Sequence, residues 1–169
     1  METAGLRQCP YDGKMTIRPA TLEGSDLEAI LYHRHAMFRE MGYAEAQLNS
    51  MTALFRPWLR RKMEADEYLA WFAIAPDSSI AAGLGLWLMD WPPHVVAGGR
   101  WRGNIVNVYT EPPHRRKGIA RTLMHVGLEW CAMNQVDAVI LHSSDEGRPL
   151  YESLGFEATN EMRLIRPNG

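Results

Sequence analysis

A chain of 169 residues with 46% hydrophobic residues is long enough for one well-packed domain, and its formal net charge of −2 argues against a dedicated nucleic-acid binder. The two cysteines, Cys9 and Cys131, are too far apart in sequence to suggest a disulfide framework or a metal site, and they are typical of a reducing compartment. No apolar run approaches the roughly 20 residues that cross a bilayer, and the N-terminus lacks a signal-peptide core, so we expect a cytoplasmic protein without membrane or metal.

The first half of the chain predicts a strand, two helices and a hairpin after a flexible polar extension over residues 1–14. A helical apolar stripe ended by Gly42 supports the first helix, and Pro57 either kinks the second or begins another. Residues 76–79, PDSS, predict the hairpin turn. The predicted elements are a strand at 15–21, helices at 25–42 and 45–65, and strands at 67–75 and 80–91.

The second half predicts a strand–helix–strand unit after a loop rich in proline, glycine and arginine. Strand–helix–strand connections give parallel pairs, whereas the earlier hairpin is antiparallel. We therefore expect one domain over 15–169, with a mixed sheet and helices on both faces. The predicted elements are the loop at 92–103, strands at 104–110 and 137–142, helices at 118–133 and 147–156, and a closing strand at 157–166.

Three cations stand in the least favourable place for a helix, directly before its first turn. Arg115, Arg116 and Lys117 oppose the helix dipole, and Gly118 and Ala120 leave the backbone there accessible. An anion bound to the free N–H groups of the first turn and to the arginines would explain this arrangement, so the segment predicts a phosphate or diphosphate site. The alternative is an exposed basic turn that binds nothing.

Two common phosphate-binding motifs do not fit this segment. The Gly-Lys-Ser/Thr ending of a P-loop is absent. The only G-x-G, at 83–85, lies inside a predicted strand and lacks the third glycine of a dinucleotide fingerprint.

Residues 108–120, VYTEPPHRRKGIA, resemble the acyl-CoA-binding motif of the GNAT superfamily of N-acetyltransferases. That pattern, Arg/Gln-x-x-Gly-x-Gly/Ala between a strand and a helix, is matched by Arg115, Gly118 and Ala120. MTIRPAT at 15–21 is similar to the opening strand of the family, and LYESLGF at 150–156 to its C-terminal motif. The resemblance implies the GNAT fold, which is of the α/β (α+β) class: a mixed, mostly antiparallel sheet with helices on both faces and a splayed parallel strand pair.

The resemblance also implies how acetyl-CoA, the acyl donor, would bind. Backbone groups at the end of the strand would pair with the pantetheine arm, and the splay would fall between 104–110 and 137–142. Ser144 stands where the family often has an asparagine that contacts the pantetheine. The implied donor-binding residues are Val108, Tyr109, Thr110, Arg115, Arg116, Lys117, Gly118, Ile119, Ala120, Arg121 and Ser144.

For catalysis, the resemblance assigns the polarisation of the thioester carbonyl to the backbone N–H of Val108. Tyr151 matches the tyrosine that the family places near the cofactor sulfur, and a phenol can protonate a leaving thiolate. The alternative for Tyr151 is simple packing. No general base is assigned. Glu111, at the exit of the strand, is the candidate carried forward, with Asp90, Glu40 or a relaying water as alternatives, and each carboxylate also fits a solvated surface group.

Several other polar and aromatic residues carry no predicted role. Neighbours in one turn rarely form a catalytic triad, so HSSDE at 142–146 is interpreted as a helix cap with cofactor-lining residues. Three tryptophans around the 92–103 loop could line an aromatic acceptor pocket, although packing is the simpler interpretation. They are Trp87, Trp91 and Trp101, and the histidines without an assigned role are His33, His35 and His94.

The leading hypothesis is an acetyl-CoA-dependent N-acetyltransferase for a primary amine of a small molecule or peptide, with a homodimer as one option for its assembly. A second is a non-catalytic acyl-CoA-binding or sensing module of the same fold, which a plugged acceptor slot would favour. A nucleic-acid binder is the third and weakest, because the net charge is slightly acidic and no binding motif is found. It would use Arg56, Arg60, Arg61, Lys62 and the 115–117 run.

Overall fold

A computed structural model describes residues 7–8, 15–95 and 97–165. Their order of strands and helices confirms the predicted mixed architecture. The strands are β1 (Arg7–Gln8), β2 (Thr16–Pro19), β3 (Tyr68–Ile74), β4 (Ile80–Asp90), β5 (Trp101–Thr110) and β6 (Ala138–Leu141). The helices are α1 (Asp26–Glu40), α2 (Glu45–Glu64), α3 (Ile119–Met133) and α4 (Arg148–Glu152), and a 3-10 turn covers Pro112–His114.

The described residues depart from the predicted elements at the closing strand, at the start of β5, at Pro57 and at the helix predicted over 147–156, which is shorter, Arg148–Glu152. The closing strand predicted at 157–166 is wrong over 157–165, which contain no strand, and residue 166 lies outside the described ranges. Alternating side chains are not enough there, since a strand also needs a neighbour to pair with. β5 begins at Trp101, three residues early, because it continues to pair with β4. α2 runs through Pro57 as one helix. It is packed against the core before the proline at Leu48 and after it at Leu59, and this packing stabilises both segments.

The predicted flexible extension at 1–14 lies outside the described residues, except for two. Arg7 and Gln8 form β1, which pairs antiparallel with Ile17 and Thr16 of β2.

The sheet follows chain order from β1 to β6, and every pair is antiparallel except β5 with β6. The parallel ladder is short and joins residues 102–105 of β5 to residues 138–141 of β6. Beyond Ile105, β5 continues to Thr110, and none of the described residues pairs with it on that side. The predicted splay is therefore present, and it leaves one edge of β5 open at its C-terminal end.

The core lies on both faces of the sheet, as alternation along β3 dictates. Tyr68, Ala70 and Phe72 face α1 and α2, whereas Trp71 and Ala73 face α3. Ile119, Leu123 and Met124 are the buried side chains at the start of α3. This packing anchors the first turn of α3 beside the open end of β5.

A β-bulge interrupts the pairing of β4 with β5 next to that open end. Gly83 pairs with Tyr109 and Gly85 with Val106, so β5 carries one extra residue between the two pairs. Asn107, within the bulge, has a φ of 54° and is 5% exposed. Gly85 makes room for the Tyr68 ring, because a Cβ there would lie 2.0 Å from the Tyr68 hydroxyl.

Candidate active site

The N-terminus of α3 presents backbone N–H groups that no described side chain caps. Gly118 precedes the helix with a φ of 73°, a left-handed conformation that glycine adopts without strain. No acidic residue lies in the first turn of the helix. The first hydrogen bond of the helix runs from the N–H of Thr122 to the carbonyl of Gly118, so the N–H groups of residues 119–121 have no intrahelical acceptor.

The space in front of this turn is open. A Cβ built on Gly118 would meet no described atom within 4 Å. A phosphate group can therefore approach the backbone closely, and the donor set of N–H groups and cations suits it. The residues present fit the diphosphate of an acyl-CoA.

The three cations before the helix do not behave alike. Arg115 turns back to α1, where its Nη2 donates to Glu40 Oε1 at 2.6 Å, and its Nε donates to the Thr110 carbonyl at 2.9 Å. Arg116 and Lys117 are exposed, and neither bonds to another side chain within the described ranges. The sequence pattern could not reveal that Arg115 has an internal partner, because Glu40 is 75 positions away.

The open end of β5 carries the predicted pantetheine-binding residues. Val108 and Thr110 are half-buried there, and Tyr109 is buried. Tyr109 donates through its hydroxyl to Glu40 at 2.9 Å, and burial together with this carboxylate raises its pKa to about 12. In the part of the chain that the structure describes, no strand pairs with Val108 through Thr110 on the β6 side.

Glu111 directly follows β5 and lies beside α1, where it contacts His33, a residue to which the sequence assigned no role. His33 Nε2 lies 3.5 Å from Glu111 Oε1, and its ring centroid is 5.2 Å from that of Tyr109. Burial lowers the pKa of His33 to about 4, so the imidazole is neutral at pH 7. Burial raises the pKa of Glu111 above its usual range, which makes it a stronger base. The sequence signal for His33 was its position as a polar residue on the apolar stripe of α1.

Tyr151 lies half-buried on α4 beside a cavity of about 480 Å³. Its ring meets Phe156 edge-on at 6.2 Å, and burial raises the pKa of its phenol, which is therefore protonated at neutral pH. Within the described ranges its hydroxyl has no hydrogen-bond partner. Ser144 accepts the N–H of Gly147 at 3.2 Å through its side-chain oxygen, within the turn that precedes α4.

The remaining candidates lie elsewhere. Asp90 pairs with Trp101 at the opposite end of β5 from Glu111, about 30 Å away for ten residues of strand. A cavity of about 350 Å³ at that far end is lined by Trp87, Trp91 and Trp101, and Arg102 stacks over Trp91 at 3.9 Å. This placement favours packing over an acceptor pocket. Of the alternative bases, only Glu40 reaches the same end as Glu111, and Arg115 neutralises it.

Neither a metal cluster nor a membrane span is found among the described residues. They contain no group of three or more histidines, cysteines, aspartates or glutamates that could hold a metal ion. None of the described helices is long and apolar enough to cross a membrane.

Comparison with known proteins matches this geometry to one family. A family model described as acetyltransferase (GNAT) family covers residues 29–156, more than half of the chain. The chain belongs to the GNAT family. A GCN5-related N-acetyltransferase from Ralstonia eutropha JMP134 superposes on this GNAT protein with a TM-score of 0.85 at 34% identity, over 91% of this chain and 99% of the other.

Two further relatives differ in what they share with this GNAT chain. A predicted acetyltransferase from Clostridium acetobutylicum, solved with acetyl-CoA, shares the fold with a TM-score of 0.80 at 24% identity, over 90% of this chain and 96% of the other. A glucosamine 6-phosphate N-acetyltransferase from Trypanosoma brucei brucei is 36% identical over 76 residues, 43% of this chain. The match spans only 50% of that relative, about half its length.

Proposed function

We propose that this protein is an acetyl-CoA-dependent N-acetyltransferase that moves an acetyl group to a primary amine of a small molecule or peptide in a ternary complex. One observation carries the proposal: among the described residues, a helix N-terminus without a side-chain cap lies at the end of a strand whose outer edge is unpaired. The first feature suits a diphosphate, and the second suits an amide-containing arm that pairs like a strand. Acetyl-CoA contains both groups.

Each predicted donor-binding residue except Ser144 has a role in this proposal. Backbone N–H groups from Arg116 through Arg121 hold the diphosphate, and the exposed side chains of Arg116 and Lys117 add charge. The edge of β5 from Val108 to Thr110 pairs with the pantetheine. Arg115 acts differently, because its bonds to Glu40 and Thr110 fasten the loop to α1 and to the end of β5.

The chemistry requires a base, an acid and a polarised carbonyl. Glu111, with its raised pKa and the neutral His33 beside it, removes the proton from the attacking amine. The N–H of Val108 donates to the thioester oxygen as the C–N bond forms. As the C–S bond breaks, Tyr151 gives its proton to the departing thiolate. His33 does not titrate near neutral pH and serves to position Glu111.

The relative from Trypanosoma brucei brucei supplies the first acceptor to test. Its name states that it acetylates glucosamine 6-phosphate, a small-molecule primary amine. Because the match spans half of that protein, the acceptor must be tested directly.

The deciding experiment measures CoA release from acetyl-CoA with a panel of amines that includes amino sugars, amino acids, polyamines and peptide N-termini. We expect at least one amine to accelerate release well above the hydrolysis rate. The competing sensing module predicts a different result, namely acetyl-CoA binding by calorimetry with no amine-dependent release from any member of the panel.

A further inference from the structure

Arg34 places a half-buried positive charge next to the bulge of β5, on the third turn of α1. No described carboxylate lies within 4 Å of its guanidinium. Two other arginines near α1 form ion pairs, Arg18 with Asp26 and Arg56 with Glu28. Arg34 differs from these two because no described carboxylate balances its half-buried charge.

The guanidinium is nevertheless held in a fixed position. Nη1 donates to Asn107 Oδ1 at 2.8 Å, and Asn107 in turn donates through Nδ2 to the Tyr68 hydroxyl at 2.9 Å. The rings of Phe55 and Phe38 lie 4.5 and 5.0 Å from the guanidinium carbon, within the range of cation–π contact. A pre-oriented guanidinium loses little freedom when it binds a ligand.

Among the described residues, the charge of Arg34 has no counter-ion, and most of its N–H donors have no acceptor. A guanidinium has five N–H donors, and the described residues accept from it once, through a neutral amide. Nε is buried without an acceptor among the described atoms. Burial lowers the pKa of Arg34, because a desolvated cation without a partner is unfavourable. A bound anion would remove that penalty.

The position of Arg34 relates this anion to the proposed reaction. Its partner Asn107 directly precedes Val108, whose N–H is assigned to the acetyl group, and His33 on the same helix contacts Glu111. We propose that Arg34 binds an acidic group, a phosphate or a carboxylate, on the amine acceptor. This inference rests on the proposed function and narrows its substrate class from amines in general to amines that carry an anion.

The test compares matched acceptors that differ only in the anion. Glucosamine 6-phosphate is paired with glucosamine for the phosphate arm, and an amino acid with its carboxamide for the carboxylate arm. We expect kcat/KM to favour the anionic member by about 10- to 100-fold in one arm, the range of a hydrogen bond to a charged group. Arg34→Gln should abolish that preference mainly through the acceptor KM, and Arg34→Lys should restore part of it.

Arg60→Gln on α2 is the matched control, since Arg60 is exposed and lies outside the proposed site. It should leave the preference unchanged. Equal kcat/KM for anionic and neutral members of both arms would overturn the inference without any variant, so the test survives a misfolded Arg34→Gln protein. An equal fall for both members in Arg34→Gln would also overturn it, because Arg34 would then support only the bulge.

Binding separates the two proposals if catalysis fails. Calorimetry with glucosamine 6-phosphate and with the amino acid, in the presence of CoA, measures the acceptor site directly. Anion-dependent binding that Arg34→Gln loses, without acetylation, would uphold the subsite and refute the proposed enzyme. Acetylation of neutral amines alone would uphold the enzyme and refute the subsite.

Discussion

Replacing Gly118 by alanine probes the proposed diphosphate site with a single methyl group. An alanine at a φ of 73° costs about 1–2 kcal/mol, which lowers the Tm of a domain of this size by about 2–8 °C. The new Cβ meets no described atom within 4 Å, so the fold itself should survive. If a phosphate occupies that space, the methyl group displaces it, and we expect acetyl-CoA affinity to fall at least about tenfold, or about 1.4 kcal/mol.

The assay is a pair of thermal melts with and without acetyl-CoA. At a concentration of 100 times Kd, the ligand stabilises the parent by about 2.7 kcal/mol, and the variant should keep no more than about half of this. Gly42→Ala is the matched control, because Gly42 also has a positive φ, 86°, and open space around its Cβ. It should lose similar stability and keep the full ligand shift. Equal acetyl-CoA shifts in the two variants would refute the placement of the diphosphate at α3.

Three further outcomes are expected. Tyr151→Phe should lower kcat by about 10- to 1000-fold with acetyl-CoA affinity nearly unchanged. A normal kcat for CoA release by this variant would contradict the role of Tyr151 as the acid. The depressed pKa of His33 should lower the free energy of unfolding by up to about 3 kcal/mol as pH falls from 6.5 to 4, and the raised pKa of Glu111 should offset part of this loss. In urea unfolding at several pH values, the free energy of unfolding should depend less steeply on pH in His33→Gln than in the parent, and an equal dependence would contradict the assignment. The double change Arg116→Gln/Lys117→Gln should leave the unliganded Tm unchanged or slightly higher while it weakens CoA binding and the salt dependence of that binding, as calorimetry at two salt concentrations would show; full retention of affinity would mean that these cations do not serve the ligand.

Local chemistry in the sequence was sufficient to predict the turn before α3 and most of the helices and strands of the fold. The turn at Gly118 and the start of α3 depend on the conformation of one glycine and on neighbouring residues, so they are visible in a short segment. Apolar periodicity located α1 and α3, because burial on one face imposes a 3.6-residue repeat. The open slot beside β5 followed from the strand–helix–strand order together with the family resemblance.

Contacts between α1 and the end of β5 were decided by the tertiary structure alone. Glu40 meets Arg115, His33 meets Glu111, and Arg34 meets Asn107, each across about 70 or more intervening positions, where no periodicity or motif links the partners. The missing strand at 157–165 has the same cause, since β6 pairs only with β5 among the described residues and strand pairing is a property of the neighbour. Residue types and local turns are encoded within a few positions, whereas the electrostatic surroundings of an active site depend on which distant segments the fold brings together.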